Sequence, residues 1–197
     1  MSRYIAIEGG DGSGKSTVAT AVARTLESRG HTTLVVREPG GTVLGEEIRK
    51  LLLHGPDMAP WAEAMLFGAQ RAQLVAEVVA PALEKGAWVI SDRTYYSSLA
   101  YQGAGRGLGL DRVREVNEIG LGGVVPDLVF ILDVEVDIAL QRQHRPDRIG
   151  SEKSSFHGDV HTAYRKLAAD EPDRVFLIDN SLDLDSVVAQ IMEHIRE

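Results

Sequence analysis

The sequence predicts an α/β fold in which a parallel β-sheet is covered by helices on both faces. Five short, nearly continuous apolar runs alternate with longer amphipathic stretches, and a glycine-rich loop joins the first run to the first stretch. Strands that are apolar throughout are typical of a sheet that is buried on both faces, as parallel sheets are. The alternation of strands and helices indicates repeated β–α–β units.

The five apolar runs are the predicted strands. Each is rich in β-branched or other apolar residues and carries few charges, which favours a buried strand. The runs are Tyr4–Glu8, Thr33–Arg37, Ala87–Ser91, Leu128–Leu132 and Arg174–Ile178. Polar or charged residues lie at the carboxyl ends of the first four. Because ligands of such sheets bind at the carboxyl ends of the strands, we expect one cleft along that edge.

Seven stretches with helical periodicity separate and follow the strands. They are Lys15–Arg29, Val43–His54, Pro60–Lys85, Leu110–Gly120, Val136–His144, Phe156–Ala169 and Leu184–Arg196. Pro60 suits a first helical turn, and Pro81 is expected to end or kink the same long helix. The polar segment Arg145–Ser155, with its glycine and proline, predicts a mobile flap. We expect one domain over residues 1–197, with the flap at about 142–155.

The composition is that of an ordinary globular protein and argues against several classes of function. The 197 residues include 21 basic and 29 acidic side chains, for a net charge of −8, which argues against binding of extended nucleic acid. The chain has no cysteine, so we expect neither disulfides nor thiolate chemistry, in keeping with a reducing cytosol. No signal peptide, apolar run of spanning length or lipidation motif is visible. We therefore expect a cytoplasmic protein with no membrane partner.

Residues 9–16 match the pattern G-x-x-x-x-G-K-[ST] of a phosphate-binding loop. The loop follows the first strand and opens the first helix, a context that argues against an ordinary glycine-rich turn. Backbone N–H groups and the positive end of the helix would surround a triphosphate. Lys15 would contact the β- and γ-phosphates, and the Ser16 hydroxyl would ligate Mg²⁺. The predicted triphosphate-binding residues are Gly9, Gly10, Asp11, Gly12, Ser13, Gly14, Lys15, Ser16 and Thr17.

Charged residues also lie at the ends of the second and third predicted strands. Arg37 and Glu38 begin the run 37–42, which is either a turn with a solvated ion pair or part of the ligand site. Asp92 and Arg93 follow the third strand, where an aspartate can hold Mg²⁺ through water and an arginine can bind a second phosphate. A surface salt bridge is the alternative for this pair.

Phe67 and Arg71 lie four residues apart in the long predicted helix and so share one face. An aromatic ring beside a forked donor suits a nucleobase, with the ring stacking on the base and the guanidinium bonding to its edge. A core phenylalanine with an arginine that snorkels to solvent is the alternative.

Four basic residues crowd the predicted flap of this acidic protein, namely Arg142, His144, Arg145 and Arg148. One interpretation is a solvated helix end. The other is a lid that brings an arginine onto a transferring phosphoryl group.

Taken together and in this order, the motifs resemble those of thymidylate kinase. Besides the phosphate loop they include REPGGT from Arg37, LFGAQRAQ from Leu66, SDR from Ser91 and AYQGAGRG from Ala100. The motifs PD…LDV and DRI follow, so that the resemblance runs from Ile7 to about Asp179. REPGGT and AYQG-x-GRG are far more specific than the phosphate loop.

The resemblance implies the P-loop nucleoside monophosphate kinase fold, an α/β fold with a five-stranded parallel sheet, helices on both faces and a short lid. It implies phosphoryl transfer from ATP to thymidine monophosphate (dTMP), which gives dTDP for dTTP synthesis, with Mg²⁺ as cofactor. ATP and dTMP are then the small-molecule partners, no nucleic acid polymer is expected, and the family is usually homodimeric.

The resemblance also implies a dTMP site. Its residues are Asp11, Arg37, Phe67, Arg71, Arg93, Ser98, Tyr101 and Gln102. Asp11 would meet the 3′-hydroxyl of the sugar, and Arg37 and Arg93 would bind the phosphate. Phe67 would stack on thymine while Arg71 donates to its O4. The remaining three residues would line the base and the sugar.

The implied catalytic residues are Lys15, Asp92, Arg93, Arg145 and Arg148, with Ser16 and Asp92 as the Mg²⁺ site. Gly12 occupies the loop position where one subclass of the family carries a basic residue. The subclass with a small residue there places its catalytic arginine in the lid, where Arg145 and Arg148 are available. The lid departs from the usual D-R-I-E at Gly150, so that the role of that glutamate is lost or has moved to Glu152.

Two other functions remain open at the level of the sequence. A deoxynucleoside kinase of the same fold would use a carboxylate, for which Glu38 is available, to deprotonate a sugar hydroxyl. A GTP-binding switch protein would use D-x-x-G, which residues 147–150 match, but the guanine-reading motif N-K-x-D is absent from the chain.

Overall fold

The computed structural model of the chain describes residues 3–142 and 147–195. The strands of this part are β1 (Tyr4–Glu8), β2 (Thr33–Arg37), β3 (Trp88–Asp92), β4 (Leu128–Asp133) and β5 (Val175–Asp179). The helices are α1 (Lys15–Ser28), α2 (Val43–His54), α3 (Pro60–Leu74), α4 (Ala80–Glu84), α5 (Tyr95–Ser98), α6 (Leu110–Leu121), α7 (Val136–Gln141), α8 (Ser154–Asp170) and α9 (Leu184–His194), with π-helical segments at Val75–Val79 and Leu99–Gly105. None of the helices in these two ranges is long and apolar enough to cross a membrane.

The strands form one parallel sheet in the order β2-β3-β1-β4-β5, which confirms the predicted fold class. β1 is the central strand, and its Ile5 lies opposite Ile90 of β3 and Leu128 of β4. β1 is buried over its whole length, which explains why its sequence is apolar on both faces. The loop after β1 leaves the sheet where the strand order reverses, the place where such sheets bind ligands.

The alternation of side chains along β1 divides the core into two layers. Ile5 and Ile7 point to one face, where they pack with Val22 of α1 and Ile191 of α9. Ala6 points to the opposite face and belongs to a second cluster with residues of α6, α8 and the segments around them. All five side chains are fully buried. Burial of a large aliphatic side chain contributes about 1.5–3 kcal/mol, so both layers hold β1 in place under the ligand cleft.

The long helix predicted over Pro60–Lys85 forms, but it is not regular. Pro60 occupies its first turn as predicted. The helix does not end at Pro81 and continues to Glu84. The π-helical turn Val75–Val79 lies just before this proline. Since proline lacks an N–H and its ring crowds the carbonyl of the preceding turn, a wider turn there lets the helix continue.

A helical stretch that the sequence analysis did not assign follows β3. It consists of α5 and the π-helical segment after it, and it carries most of the AYQGAGRG motif. The Thr94 side chain caps its first turn. Because π-helical turns are frequent at functional sites, this segment is a natural wall for the cleft.

Candidate active site

The phosphate loop adopts the conformation that its glycines allow. Gly9 has a φ of +138°, and a Cβ atom there would lie 2.9 Å from the Leu132 carbonyl oxygen, so that only glycine fits. Gly14, with a φ of +82°, precedes the first turn of α1. From the end of β5, Asn180 Nδ2 donates to the Ser13 carbonyl oxygen at 2.8 Å. The loop is therefore tied to the far side of the sheet.

Lys15 lies against the loop that it follows. Its Nζ donates to the Gly10 carbonyl oxygen at 2.7 Å and lies 3.4 Å from the Ser13 hydroxyl. Burial, and to a lesser extent the Arg93 guanidinium, lowers the pKa of Lys15 to about 8. A phosphate in the loop would favour the charged form, because it would bring negative charge to a cation with little solvent around it.

Ser16 and Asp92, the predicted Mg²⁺ ligands, are brought together at the start of α1 and the end of β3. The Ser16 hydroxyl donates to the Asp92 carboxylate. Mg²⁺ usually takes one or two protein carboxylates and completes its shell with water and substrate phosphates. Within residues 3–142 and 147–195, no group of three or more acidic, histidine or cysteine side chains could hold a metal. The pair therefore fits an ion that arrives with a nucleotide.

The residues predicted to bind dTMP meet in one cleft beside the phosphate loop. The cleft has a volume of about 330 Å³, within the range of small-molecule sites. All eight of these residues line it, and so do Lys15, Ser16 and Asp92 on the side of the phosphate loop. These side chains lie close together, but the role of each one stays a prediction.

Arg93 lies where the phosphate loop and the rest of the cleft meet. Its φ of +74° is unusual for a non-glycine residue and costs on the order of 1–3 kcal/mol. Its guanidinium donates to Asp11 Oδ1 at 2.5 Å, and the Tyr101 hydroxyl donates to Asp11 Oδ2 at 3.0 Å. Burial raises the pKa of Asp11, but Arg93 and the loop lysine outweigh it and hold the pKa below its usual value. The alternative of a surface salt bridge with Asp92 is wrong, because Arg93 is largely buried and pairs with Asp11.

Arg71 is buried at the other end of the cleft, with 2% of its surface exposed. Its Nε donates to Glu38 Oε2 at 2.6 Å in an ion pair that is buried on both sides. Its terminal nitrogens donate to the Thr94 carbonyl oxygen, the Ser98 hydroxyl and the Asn117 amide oxygen. Among the described residues these contacts use four of its five N–H groups, which leaves one on Nη2. The alternative of an arginine that snorkels to solvent is wrong.

Glu38 has a second buried partner besides Arg71. Gln70 Nε2 donates to the same carboxylate oxygen, Oε2, at 3.0 Å. Burial raises the pKa of Glu38 even though Arg71 opposes that shift. Its other oxygen, Oε1, is buried and has no hydrogen-bond partner among the described residues. A carboxylate enclosed in this way is poorly placed to take a proton from a sugar hydroxyl, which argues against Glu38 as a general base.

Two further arginines, Arg37 and Arg49, line the cleft. The Arg37 side chain is 56% exposed and donates to Glu46 Oε1 at 2.8 Å, so that in this state it forms a solvated ion pair. Arg49 also lines the cleft, and its Nη1 donates to the Pro39 carbonyl oxygen at 2.6 Å. Arg49 could not be predicted from the sequence, because it lies in the middle of α2 and belongs to none of the motifs.

Of the predicted flap, the structure describes residue 142 and residues 147–155, and His144 lies outside the described residues. Arg145, one of the two flap arginines predicted to be catalytic, lies outside the described residues. Arg148 is described, and it does not line the cleft. Its Nη2 lies 2.8 Å from Glu63 Oε2, and its Nε donates to the Leu52 carbonyl oxygen at 2.9 Å. A direct role of either arginine in catalysis stays a prediction.

The residues around Gly150 form a turn that is capped by its own aspartate. Asp147 Oδ1 accepts from the backbone N–H groups of Ile149 at 3.0 Å and Gly150 at 2.9 Å. This capping accounts for the D-x-x-G pattern without a nucleotide. Glu152, considered above as a substitute for the usual lid glutamate, pairs with Arg106 at 2.5 Å.

Glu8 and Asn117 are two buried polar residues that the sequence analysis did not assign to the site. Glu8, at the end of β1, accepts from the Thr94 N–H and from the hydroxyls of Ser97 and Tyr164, at 2.6–2.8 Å. Asn117, on α6, holds the buried guanidinium at the far end of the cleft. The available signal was a polar residue inside an apolar element, because such a residue needs partners when it is buried.

A phosphate loop after the central strand of a parallel sheet, opening into a cleft that extends beyond the loop to a buried arginine, defines a P-loop kinase of the nucleoside monophosphate kinase class. The family model described as thymidylate kinase matches residues 7–191. The chain therefore belongs to the thymidylate kinase family, and it phosphorylates dTMP.

Relatives named thymidylate kinase match the chain over most of its length. The relative from Leifsonia xyli subsp. xyli (strain CTCB07) is 47% identical over 193 residues, which cover 95% of this chain and 91% of the relative. The relative from Bifidobacterium longum (strain DJO10A) is 44% identical over 200 residues, 98% of this chain and 97% of the relative. The relative from Synechococcus sp. (strain JA-3-3Ab) is 44% identical over 176 residues, which cover 89% of this chain and 86% of the relative. The alternative of a GTP-binding switch protein is wrong.

Proposed function

We propose that the protein transfers the γ-phosphoryl group of ATP to the 5′-phosphate of dTMP, with Mg²⁺, and so supplies dTDP for dTTP synthesis. The observation that supports this most directly is that the phosphate loop and the pocket of Arg71 share one cleft. ATP held by the loop and dTMP held by Arg71 would meet end to end beside Lys15 and Arg93.

Positioning and charge neutralisation would supply most of the catalysis. The second pKa of a phosphomonoester is near 6, so the attacking oxygen is already mostly ionised at neutral pH. We therefore propose that Asp92 orders Arg93 and the water around Mg²⁺ and does not abstract a proton. Lys15 and a flap arginine, at 145 or 148, would stabilise charge on the transferring group. Such an arginine contributes on the order of 10³–10⁵ in rate.

Ser16 and Asp92 would hold Mg²⁺ together with the phosphates of ATP. When bound, Mg²⁺ supplies positive charge that neutralises the phosphate oxygens during transfer. The Ser16 hydroxyl would be a direct ligand, and the Asp92 carboxylate would act directly or through water.

Arg71, Phe67 and Asp11 would recognise the acceptor nucleotide. Arg71 has one N–H group that its other contacts do not use, and this group would donate to the thymine O4. Phe67 lines the cleft on the same face of α3 and would stack on the thymine ring. Because its pKa is lowered, Asp11 is ionised and can accept a hydrogen bond from the 3′-hydroxyl. A pocket shaped around the 5-methyl group is expected to prefer dTMP over dUMP by about 10- to 200-fold.

A homodimer is the assembly that the surface favours. Large apolar side chains are exposed on α3 and on the two helices that pack against it, α2 and α6. They are Val43, Leu44, Leu51, Met65 and Ile119. Cover by a second copy of the chain would remove this surface from water. Sedimentation should give twice the mass of the chain, and Ile119→Lys should shift it toward the monomer; a wild-type monomer at micromolar concentration would contradict the proposal.

A coupled assay for ADP release tests the proposed reaction. With ATP and Mg²⁺, release should require dTMP, should be slower with dUMP by the factor given above and should be negligible with purine monophosphates. Release that does not depend on dTMP, or a preference for a purine monophosphate, would contradict the proposal.

A further inference from the structure

Glu63 is a buried carboxylate that no step of the proposed reaction uses. It lies on α3, one turn before Phe67, and 1% of its surface is exposed. Gln102 Nε2 donates to its Oε1 at 2.9 Å. Arg106 donates to both carboxylate oxygens at 3.1 Å, and Arg148 Nη2 lies 2.8 Å from Oε2. One side chain thus joins three segments of the chain that are far apart in sequence.

These contacts keep Glu63 charged. Burial raises its pKa, but the hydrogen bonds from Arg106 and Gln102 outweigh burial and leave the pKa below its ordinary value. Removal of a carboxylate from water costs several kcal/mol unless cations and hydrogen bonds compensate it. Here two guanidinium groups and an amide provide that compensation, and Glu63 is the only carboxylate that pairs with Arg148 among the described residues.

Arg148 is anchored on the body of the protein at this point. Its Nε donates to the Leu52 carbonyl oxygen and its backbone N–H to the Leu53 carbonyl oxygen, at the end of α2. The next residue, Ile149, is buried in the core and also lines the cleft. Arg148 could reach a phosphoryl group in the cleft only by giving up both the Glu63 and the Leu52 contacts.

Arg106 connects the same carboxylate to the far end of the flap. Its Nη1 donates to Glu152 Oε1 at 2.5 Å, and its guanidinium lies 4.8 Å from the centre of the Phe156 ring. Phe156 packs edge-on against Tyr101, with ring centres 6.0 Å apart. A Cβ atom on Gly105 would come within 2.6 Å of the Phe156 ring, so this packing requires glycine there.

We propose that Glu63 is a positioning residue for phosphoryl transfer: its contacts with Arg148 and Arg106 fix residues 147–155 of the flap relative to the proposed dTMP-binding wall of the cleft. The proposal rests on the proposed function, because that wall, which includes Gln102, is assigned to dTMP. A displacement of reacting groups by about 1 Å can cost about 100-fold in rate. Arg148 then acts by anchoring the flap, and not by contact with the γ-phosphoryl group.

A double-mutant cycle on the full-length protein tests this with Glu63→Gln, Arg148→Met and the double variant. Glu63→Gln keeps the shape and one acceptor oxygen, but among the described residues it leaves Arg148 without a carboxylate partner and Arg106 with Glu152 alone. We expect each single variant to lower kcat about 10- to 100-fold while KM for ATP changes by less than about threefold. The kcat of the double variant should be no lower than that of the slower single variant, because both changes break the same anchor. Arg148→Lys, which keeps the positive charge, should recover part of kcat.

A direct contact between Arg148 and the phosphoryl group would give different results. Arg148→Met would then cost about 10³-fold or more, and the full loss would persist when Glu63 is already glutamine. That outcome, or a wild-type kcat for Glu63→Gln, would overturn the proposal. Glu84→Gln, a change of an exposed carboxylate at the end of α4, is the matched control and should leave kcat unchanged.

Two safeguards keep the result interpretable. If circular dichroism shows that Glu63→Gln does not fold, the cycle uses Glu63→Asp, which keeps the charge and shortens its reach, with the same expected lack of additivity. If the wild-type protein releases ADP without dTMP, the proposed function itself fails. A dTMP-dependent wild type with an unaffected Glu63→Gln variant rejects only the positioning role.

Discussion

The two ends of the acceptor cleft hold their cations in opposite ways. At the base end, Arg71 and Glu38 are both buried, and each has further fixed partners. At the outer edge, Arg37 is more than half exposed and pairs with the partly exposed Glu46. Removal of one partner from a buried ion pair typically costs 3–5 kcal/mol, whereas an exposed pair contributes about 0–1 kcal/mol. Arg71, which we propose reads the base, is therefore held in place without dTMP, while Arg37, which we propose binds the phosphate, can exchange a carboxylate for a phosphate at little cost.

This difference suits the two tasks. Discrimination between bases depends on a donor with a fixed direction, because a wrong base then leaves a buried polar group unpaired. Binding of the dTMP phosphate depends more on positive charge than on a donor with a fixed direction. The charge on this phosphate also changes during the reaction. Variants at Lys15, Arg71 and Arg37 and the pH dependence of ATP binding test this contrast.

Lys15→Met removes the positive charge that we propose contacts the phosphates of ATP. Loss of a preorganised group that stabilises the transition state typically lowers kcat by about 10²–10³-fold, and we expect the upper end of that range. Stability should not fall, because a buried lysine whose pKa is lowered is itself unfavourable in its charged form. Steady-state kinetics and thermal unfolding measure both quantities. Lys50→Met, which breaks an exposed pair with Glu47, is the control, and a loss below about tenfold for Lys15→Met would contradict the assignment.

Arg71→Met removes the fixed cation at the base end and leaves the buried Glu38 carboxylate unpaired. We expect a loss of about 3–5 kcal/mol in the free energy of unfolding and a higher Kd for dTMP, with the Kd for ATP unchanged. Chemical denaturation and titration calorimetry measure these effects. Addition of Glu38→Gln should restore part of the stability but not the dTMP affinity. Equal weakening of both ligands would indicate a folding defect and contradict a specific role at the base.

The pH dependence of ATP binding should reveal Lys15 at the phosphate loop. Its pKa in the empty site is about 8, and bound phosphates should raise it. Above pH 8, ATP binding should therefore take up a proton, and the affinity should fall by at most about tenfold per pH unit. Because the folded-state pKa lies below the unfolded value of 10.5, the contribution of this group to stability should rise between pH 8 and 10.5. Calorimetry at pH 8.5 in two buffers detects the uptake; its absence in wild type, or its persistence in Lys15→Met, would contradict this account.

Arg37→Gln should have the smallest effect, because its partner is exposed and replaceable. We expect KM for dTMP to rise by about tenfold or less and the free energy of unfolding to change by no more than about 0.5 kcal/mol. Glu46→Gln is the matched variant and should not raise KM, since it frees the guanidinium. A loss of stability comparable to that of Arg71→Met would remove the contrast between the two ends of the cleft.

The sequence predicted the parts of this molecule that depend on local patterns. The strands lie within a residue of their predicted bounds, because buried parallel strands are continuously apolar, and the phosphate loop is a contiguous motif. The helical stretch at residues 95–105 escaped prediction because small and polar residues and wide π turns give it no regular apolar period. The contacts of Glu63 escaped as well, since its partners come from segments about 40 and 85 residues away and only the folded chain brings them together.

A crystal structure with dTMP bound tests the contrast most directly. In that complex we expect Arg71 to keep Glu38, Thr94, Ser98 and Asn117 as partners and to use its remaining N–H for the thymine O4, while Arg37 leaves Glu46 for the phosphate. A complex in which Arg71 releases Glu38 to reach the base, while Arg37 stays on Glu46, would contradict it.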